Sequence, residues 1–264
     1  MPLRIAFDLD GVLADMEREL VRQAEILFGE SMTRRLQAPA VAQATAANAP
    51  DAAATTAAVA ETRDASPEPQ AAAEAAPDTV PPLLRLNMTS RQQRRLWRHV
   101  ESIENFWQTL EETETGIIQR LAAVAADSRW EVIFLTKRPQ SVGATAQTQT
   151  QRWLQSKGFP IPSVFVVQGS RGRIAAALGL DIVVDDRPEN CLDVVVDSKA
   201  RAILVWRDDQ RQLPEAAKRL GIGVVSSVAE CLDILTQVDA ASQQPVGVMD
   251  RVRRLLGLKE PASA

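Results

Sequence analysis

Short apolar runs alternate with amphipathic stretches along most of this chain, and this alternation constrains its fold more than any other feature. Runs such as Trp130–Thr136 and Asp181–Val184 are rich in Val, Ile, Leu or Phe, which is typical of strands buried on both faces. The stretches between them, such as Ile117–Ala126, have the spacing of helices with one apolar face. We therefore predict an α/β fold, a Rossmann-like parallel sheet with helices on both faces.

Polar side chains follow three of the predicted strands at the point where each strand ends. The three segments are Asp8–Gly11, Thr136–Arg138 and Asp185–Arg187. Ligands of open α/β sheets bind at the carboxyl ends of the strands. We expect these segments to converge there, although they lie far apart in the sequence.

Four carboxylates at one edge of a sheet repel one another and are costly to desolvate unless a cation offsets their charge. Asp8, Asp10, Asp185 and Asp186 would form an all-oxygen group, which suits Mg²⁺ where a phosphate supplies further ligands. Asp8 and Asp10 are one residue apart, so they point to the same side. One can attack phosphorus while the other handles the leaving-group proton, and Gly11 lets the chain turn closely beneath a bound anion.

Binding a phosphoryl group also requires donors and cations. Thr136 offers a hydroxyl donor, and Arg171 and Arg173 are the candidate cations that balance the charge of nucleophile and phosphate. Lys137 and Arg138, directly after Thr136, are predicted either to bind a second anionic group or to face solvent.

These motifs resemble the signatures of the haloacid dehalogenase (HAD) superfamily. Phe7–Asp15, which reads Phe-Asp-Leu-Asp-Gly-Val-Leu-Ala-Asp, is similar to the first signature, Leu135-Thr136 to the second and Val183–Pro188 to the fourth. The third signature is normally a lysine, and here an arginine of the segment Ser170–Arg173 stands in its place. Arginine keeps the charge but forks differently from lysine.

The resemblance implies roles for individual residues. Asp8 would be the nucleophile that forms an aspartyl-phosphate, and Asp10 the general acid/base. Thr136 would be a phosphate ligand and Asp185 a magnesium ligand. Asp186 would support the metal directly or through its ligands, and Asp10 would also bind the metal through its backbone carbonyl.

The resemblance also implies a domain organisation. Residues 1–15 and 116–238 would form the catalytic core, and residues 16–37 and 83–115 a small helical cap inserted after the first strand. Residues 38–82 are rich in Ala and Pro and poor in large apolar side chains, so we predict a disordered insertion there. Residues 239–264 are predicted to form a flexible tail with a short basic helix.

The segments Gly11–Asp15, Asn105–Trp107 and Thr115-Gly116 look similar to the cytosolic and mitochondrial deoxyribonucleotidases. Caps of that type place aromatic rings against a base. Phe106 and Trp107 are therefore predicted either to stack on a nucleobase or to belong to the core of the cap.

Composition limits the function classes. The formal net charge of −4 and the pI near 5.3 disfavour a nucleic acid polymer or an anionic membrane as partner. No apolar run approaches the roughly 18 to 20 residues of a membrane helix, and the chain begins with a strand instead of a signal peptide, so we expect a cytoplasmic protein. Cys191 and Cys231 are predicted to be buried free thiols, and the single histidine, His99, a helix-surface residue.

The sequence therefore predicts a Mg²⁺-dependent phosphomonoester hydrolase. Its substrate would be a small phosphorylated metabolite, with a nucleotide as one candidate. The alternative from a different class is a non-catalytic phosphate-binding or adaptor module on the same fold. Transfer of the phosphoryl group to an acceptor other than water is a third option.

Overall fold

The computed structural model describes residues 2–30, 88–208 and 213–242. Its centre is a six-stranded sheet in which every strand runs parallel to its neighbours, in the order β3-β2-β1-β4-β5-β6. The strands are β1 (Arg4–Asp8), β2 (Glu131–Thr136), β3 (Ser163–Val166), β4 (Ile182–Asp185), β5 (Arg201–Val205) and β6 (Gly223–Val225).

Helices connect the strands and cover both faces of the sheet. In the described residues they are α1 (Met16–Phe28), α2 (Ser90–Ser102), a 3-10 helix (Phe106–Gln108), α3 (Ile117–Asp127), α4 (Ala146–Ser156), α5 (Arg171–Leu178), α6 (Pro188–Asp197), α7 (Glu215–Arg219) and α8 (Val228–Ser242).

Two apolar clusters lie on opposite faces of the sheet. Ile5 and Phe7 of β1 point into the larger cluster, with residues of α1 to α4 and α8. Ala6, between them, points into the second cluster, with residues of α5, α6 and α7. This alternation follows from the period of two along a strand, and it confirms the predicted α/β fold with helices on both faces.

Register places the ends of three strands at one edge of the sheet. Phe7 of β1 lies opposite Phe134 of β2 and Val184 of β4. The residues that follow, Asp8 and Asp185, therefore end two adjacent strands. The strand order reverses between β1 and β4, so this edge is the position where open α/β sheets bind ligands.

The helices predicted for the cap are present where residues are described. Helix α1 agrees with the prediction, and α2 begins after Thr89, whose hydroxyl accepts from the amide of Gln92 in a capping box. Leu20 of α1 and Leu96 of α2 are fully buried in the larger cluster, so this part of the insertion packs on the same core as the sheet. The predicted disordered segment 38–82 lies outside the described residues.

Helix α6 begins at Pro188, directly after the segment Asp185–Arg187. Proline fits the first position of a helix because its missing N–H has no partner there in any case. The flexible tail was predicted to begin at residue 239, but α8 continues to Ser242, so that boundary was wrong.

The expectation about the two cysteines is confirmed. Cys191 and Cys231 are buried free thiols. His99 lies on α2, where its Nε2 is 3.0 Å from Oε1 of Gln23. No helix in residues 2–30, 88–208 or 213–242 is long and apolar enough to cross a membrane.

Candidate active site

Asp8 ends β1 in an almost closed environment. Its side chain is buried, and one carboxylate oxygen accepts a hydrogen bond from Nη2 of Arg171, the first residue of α5. The Nε atom of the same arginine is 3.5 Å from Oδ2 of Asp185. Arg171 therefore joins the ends of two adjacent strands through one guanidinium group.

Glycine in α5 explains why Arg171, and not Arg173, faces the site. A Cβ on Gly172 would lie 2.0 Å from the backbone oxygen of Asp193 in α6. The two helices therefore touch at this glycine, which fixes the rotation of α5. Arg171 is buried as a result, whereas the side chain of Arg173 is 84% exposed and lies 3.8 Å from Asp197.

Asp185, at the end of β4, is held by the residues that follow it. Its Oδ1 accepts from the backbone amide of Arg187 at 2.9 Å, and both oxygens accept from Nδ2 of Asn190 at 3.0 Å. Asn190 lies inside α6 and orients this carboxylate.

Asp10 has a separate set of partners. Its Oδ2 accepts from Oγ1 of Thr136 at 2.9 Å and from Nε of Arg138 at 3.0 Å. Its Oδ1 accepts from Nη2 of Arg138 at 2.6 Å. Arg138 is buried, so it neither faces solvent nor presents a surface to a second anionic group, and that prediction was wrong. Asp8 therefore pairs with Arg171, whereas Asp10 pairs with Arg138.

Gly11 makes room for Asp186. A Cβ on Gly11 would lie 2.0 Å from Oδ2 of Asp186, and the backbone φ of +88° also favours glycine. The group that approaches Gly11 in the structure is a carboxylate of this chain, and the turn beneath a bound anion stays a prediction.

The loop after β1 is tied down by one further arginine. Arg207, after β5, donates to the backbone oxygens of Gly11 and Val12 and lies 3.1 Å from Oε1 of Glu114. Glu114 also accepts from the first amides of α8, including that of Val228 at 2.7 Å. The loop after β1, the segment that contains Glu114 and the start of α8 are therefore held together.

Burial and mutual repulsion dominate the electrostatics of the acidic cluster. Burial, followed by the charge of Asp185, raises the pKa of Asp8 well above its ordinary range despite the opposing effect of Arg171. Burial also raises the pKa of Asp185. Burial and the charge of Asp185 raise the pKa of Asp186 to about 7. Arg171 thus offsets only part of the charge that these carboxylates would carry.

The donors fit a hard divalent cation by their chemistry, but they are not arranged around one. Asp8, Asp185 and Asp186 are oxygen donors. After burial, the charge of Asp185 raises the pKa of both Asp8 and Asp186, and a bound cation would relieve this repulsion. Over the described ranges, no three or more His, Cys, Asp or Glu side chains form a group that could hold a metal ion. The guanidinium of Arg171 lies against two of these carboxylates in this conformation.

The remaining predicted site residues are Lys137, Phe106 and Trp107. Lys137 is exposed, directly after the fully buried Thr136. Phe106 and Trp107 have no exposed surface, and their rings meet edge to face at 4.9 Å between centroids. The structure therefore places both aromatic rings in the core, as the alternative interpretation expected, and not on a surface where a base could stack.

The sequence did not predict the contacts that three residues make with this site. Arg138 contacts Asp10, Asn190 contacts Asp185, and Arg207 contacts the backbone of Gly11. A signal existed for Arg138, because it follows Thr136 by two residues and so continues the same face if the chain stays extended. Arg207 carries no such signal, because its partners are backbone oxygens of a distant loop.

Several solved structures are similar to this chain. It resembles a hydrolase from Pseudomonas syringae (TM-score 0.46, 16% identity, 90% of this chain and 98% of that chain). It also resembles a haloacid dehalogenase-like family hydrolase from Xanthomonas campestris (TM-score 0.44, 13% identity, 92% and 95%). A third similar structure is a HAD hydrolase of family IA, variant 3, from Entamoeba histolytica (TM-score 0.41, 12% identity, 87% and 95%).

No protein-family model and no curated protein matches the chain. All three TM-scores lie below 0.5.

Proposed function

We propose that this chain is a HAD-type, Mg²⁺-dependent phosphomonoester hydrolase that acts through an aspartyl-phosphate on Asp8. The observation that carries the proposal is the position of Asp8. It is 7% exposed at the ligand-binding edge of the sheet, it contacts a buried arginine, and Asp10 stands two residues away with its own partners. A buried carboxylate beside a cation and a second carboxylate has the composition that nucleophilic and acid/base catalysis need.

The two steps balance through the two aspartates. In the first, an oxygen of Asp8 bonds to phosphorus, the bond from phosphorus to the leaving oxygen breaks, and Asp10 gives that oxygen a proton. In the second, Asp10 takes a proton from water, the water oxygen bonds to phosphorus, and the bond to Asp8 breaks. Inorganic phosphate leaves and both carboxyl groups return to their starting states.

Cations of the chain hold the phosphoryl group in this proposal. Arg171 already neutralises Asp8, and its guanidinium would bind a phosphoryl oxygen as the group transfers. Thr136 lies beside Asp10 and supplies a hydroxyl donor at the same edge. Arg173 and Lys137 are exposed, and we assign them no role in binding the phosphoryl group.

Asp8, Asp185, Asp186 and the backbone carbonyl of Asp10 would hold Mg²⁺. When bound, the ion would supply positive charge to the carboxylates and to the phosphoryl oxygens. The raised pKa values of Asp8, Asp185 and Asp186 support this part of the proposal, because burial disfavours the charged carboxylates and a bound cation would stabilise them.

The substrate class that we propose is a small phosphorylated metabolite. A nucleotide remains a candidate through the sequence resemblance of the cap. The buried rings of Phe106 and Trp107 do not supply its base-binding surface in this conformation. Residues nearer the mouth would have to provide that specificity.

One observation favours the alternative of a non-catalytic phosphate-binding module. The nucleophile and the acid/base residue are both paired with arginines, so neither carboxylate is free in this conformation. Such a module would bind phosphorylated ligands without turning them over.

The test is phosphate release from a panel of phosphomonoesters by the full chain, with Mg²⁺ and with EDTA, for the wild type and Asp8→Asn. The proposal expects turnover only by the wild type and only with Mg²⁺. Turnover by Asp8→Asn would refute the covalent mechanism. Saturable binding of a phosphorylated ligand with no turnover by the wild type would establish the alternative.

A further inference from the structure

We infer that Arg138 is the positioning residue of Asp10, fixing the direction in which this carboxylate gives and takes its proton. The inference rests on the proposed function and deepens it. Nothing in the sequence resemblance assigns a role to this position, and the structure removes it from the surface, where a role in substrate binding was considered.

The contact between the two side chains is a fork. Nε of Arg138 lies 3.1 Å from Oδ1 and 3.0 Å from Oδ2 of Asp10, and Nη2 lies 2.6 Å from Oδ1. Two nitrogens thus contact both oxygens of one carboxylate, a planar geometry that arginine can make and lysine cannot. Arg138 therefore fixes the rotation of the carboxylate as well as its place.

The fork is itself held from behind. Nη1 of Arg138 donates to Oγ1 of Thr150 at 2.8 Å, and that hydroxyl donates to the backbone oxygen of Ala146 in the same helix at 2.7 Å. The guanidinium also lies 4.8 Å from the ring centroid of Trp107. Because α4 and the 3-10 helix hold Arg138 in place, the position of its guanidinium fixes the position of the Asp10 carboxylate.

Trp107 is anchored as firmly as the arginine. Its backbone amide donates to Oε1 of Gln149 at 3.0 Å, and its indole N–H donates to the backbone oxygen of Pro139 at 3.0 Å. A ring predicted to touch substrate instead supports the residue that orients Asp10.

Arg138 acts through Asp10 and not on the substrate. Its side chain is 0% exposed, and Nε, Nη1 and Nη2 all contact Asp10 or Thr150. A phosphoryl group has no access to it. This distinguishes Arg138 from Arg171, which contacts the nucleophile.

A defect in positioning Asp10 has a kinetic signature. An aryl phosphate with a good leaving group, such as p-nitrophenyl phosphate, needs little proton donation when Asp8 attacks. An alkyl phosphate needs that proton, and hydrolysis of the aspartyl-phosphate needs Asp10 to take a proton from water for either substrate. Loss of Arg138 should therefore spare only the first step with the aryl phosphate.

The experiment measures pre-steady-state and steady-state turnover of p-nitrophenyl phosphate and of the best alkyl phosphate, with Mg²⁺. The variants are Arg138→Lys, Arg138→Met and Thr150→Val, and the control is Arg120→Lys, which changes a surface pair with Asp233. Thr150→Val keeps Arg138 and removes its anchor, so it reports on positioning even where an Arg138 variant folds poorly. Circular dichroism and thermal unfolding check that each variant folds.

For Arg138→Lys we expect kcat to fall by roughly 10- to 100-fold on both substrates. KM for the aryl phosphate should fall together with kcat, because only the second step is slowed, whereas KM for the alkyl phosphate should change by less than about threefold. The aryl phosphate should give a burst of about one nitrophenolate per active site, and the alkyl phosphate should give none. Thr150→Val should show the same pattern with a smaller loss, and Arg120→Lys should behave as the wild type.

Two results would overturn the inference while leaving the proposed function in place. One is wild-type kinetics in the folded Arg138 and Thr150 variants. The other is an equal loss in both steps with no burst, which is what a merely structural arginine would cause. If the wild type hydrolyses no phosphomonoester, the proposed function fails first, and the positioning role fails with it.

Discussion

The guanidinium of Arg171 lies between the carboxylates of Asp8 and Asp185, donating to the first and standing 3.5 Å from the second. This contact links the ends of β1 and β4 to the start of α5. It occupies the position where the HAD resemblance leads one to expect a lysine. The ammonium group of lysine carries the same charge, but it cannot face two carboxylates with separate nitrogens of one planar group.

We expect Arg171→Lys to lower kcat by about 10- to 100-fold, because lysine can keep the charge beside Asp8 but cannot hold both carboxylates through one planar group. Arg173→Lys, two residues away and 84% exposed, is the matched control and should keep wild-type activity. Steady-state phosphatase kinetics measure both variants. Equal losses in the two would mean that Gly172 does not fix the rotation of α5 as described.

Ionisation of Asp186 should lower the free energy of unfolding as the pH rises. Its pKa is raised from 3.8 to about 7 in the folded state, so between these values the folded chain holds a proton that the unfolded chain has lost. Stability therefore falls as the pH rises from about 4 to 7 and then stays level for this group. Replacing Asp186 with Asn removes the effect.

Urea unfolding in EDTA at pH 5 and pH 8 measures this prediction. Relative to the wild type, Asp186→Asn should gain about 1 to 3 kcal/mol in free energy of unfolding at pH 8 compared with pH 5. Mg²⁺ should stabilise the wild type more than the variant at pH 8. A variant that gains more at pH 5 than at pH 8 would contradict the assigned environment of this carboxyl.

Gly11→Ala tests the contact between the nucleophile loop and Asp186. The new methyl would lie 2.0 Å from Oδ2 of Asp186 and would also require a φ of +88°, so we expect a loss of about 2 to 4 kcal/mol in stability together with a loss of activity. Gly116→Ala isolates the backbone effect, because its φ is +76° and nothing lies within 4 Å of the added Cβ. That control should lose about 1 to 2 kcal/mol and remain active. Similar activity in both variants would argue against a functional role for Asp186.

Sequence alone predicted the sheet and the placement of Asp8 and Asp185 at the ends of its strands, which are adjacent and joined by Arg171. Parallel strands that end in polar residues bring those residues to one edge. The sequence did not distinguish Arg171 from Arg173, since the choice depends on the rotation of α5 and hence on the contact of Gly172 with α6.

The role of Arg138 was missed for a related reason. Charged residues after a strand are usually read as facing solvent or substrate, and the pocket that buries this arginine is made by Thr150 and Trp107. Both come from other parts of the chain. The burial of Trp107 was similarly hidden, because one sequence pattern suits both a cap core and a base-stacking ring.

The nucleophile can be tested by substitution. Asp8→Asn should reduce phosphate release to background, a loss of at least about 10³-fold, because an amide cannot form the acyl phosphate. Its thermal unfolding should stay close to that of the wild type, since the change removes a repelled charge as well as a partner of Arg171. Asp10→Asn should retain the burst with an aryl phosphate and lose steady turnover. Measurable turnover by Asp8→Asn would contradict the assignment.

Covalent trapping tests the central claim most directly. The wild type, mixed with Mg²⁺ and its best phosphomonoester and quenched in acid within milliseconds, is digested and analysed by tandem mass spectrometry. We predict a phosphoryl group on the peptide that contains Asp8, localised to that residue and absent from Asp8→Asn. Rapid phosphate release with no phosphoryl group on Asp8 at any quench time would contradict the account.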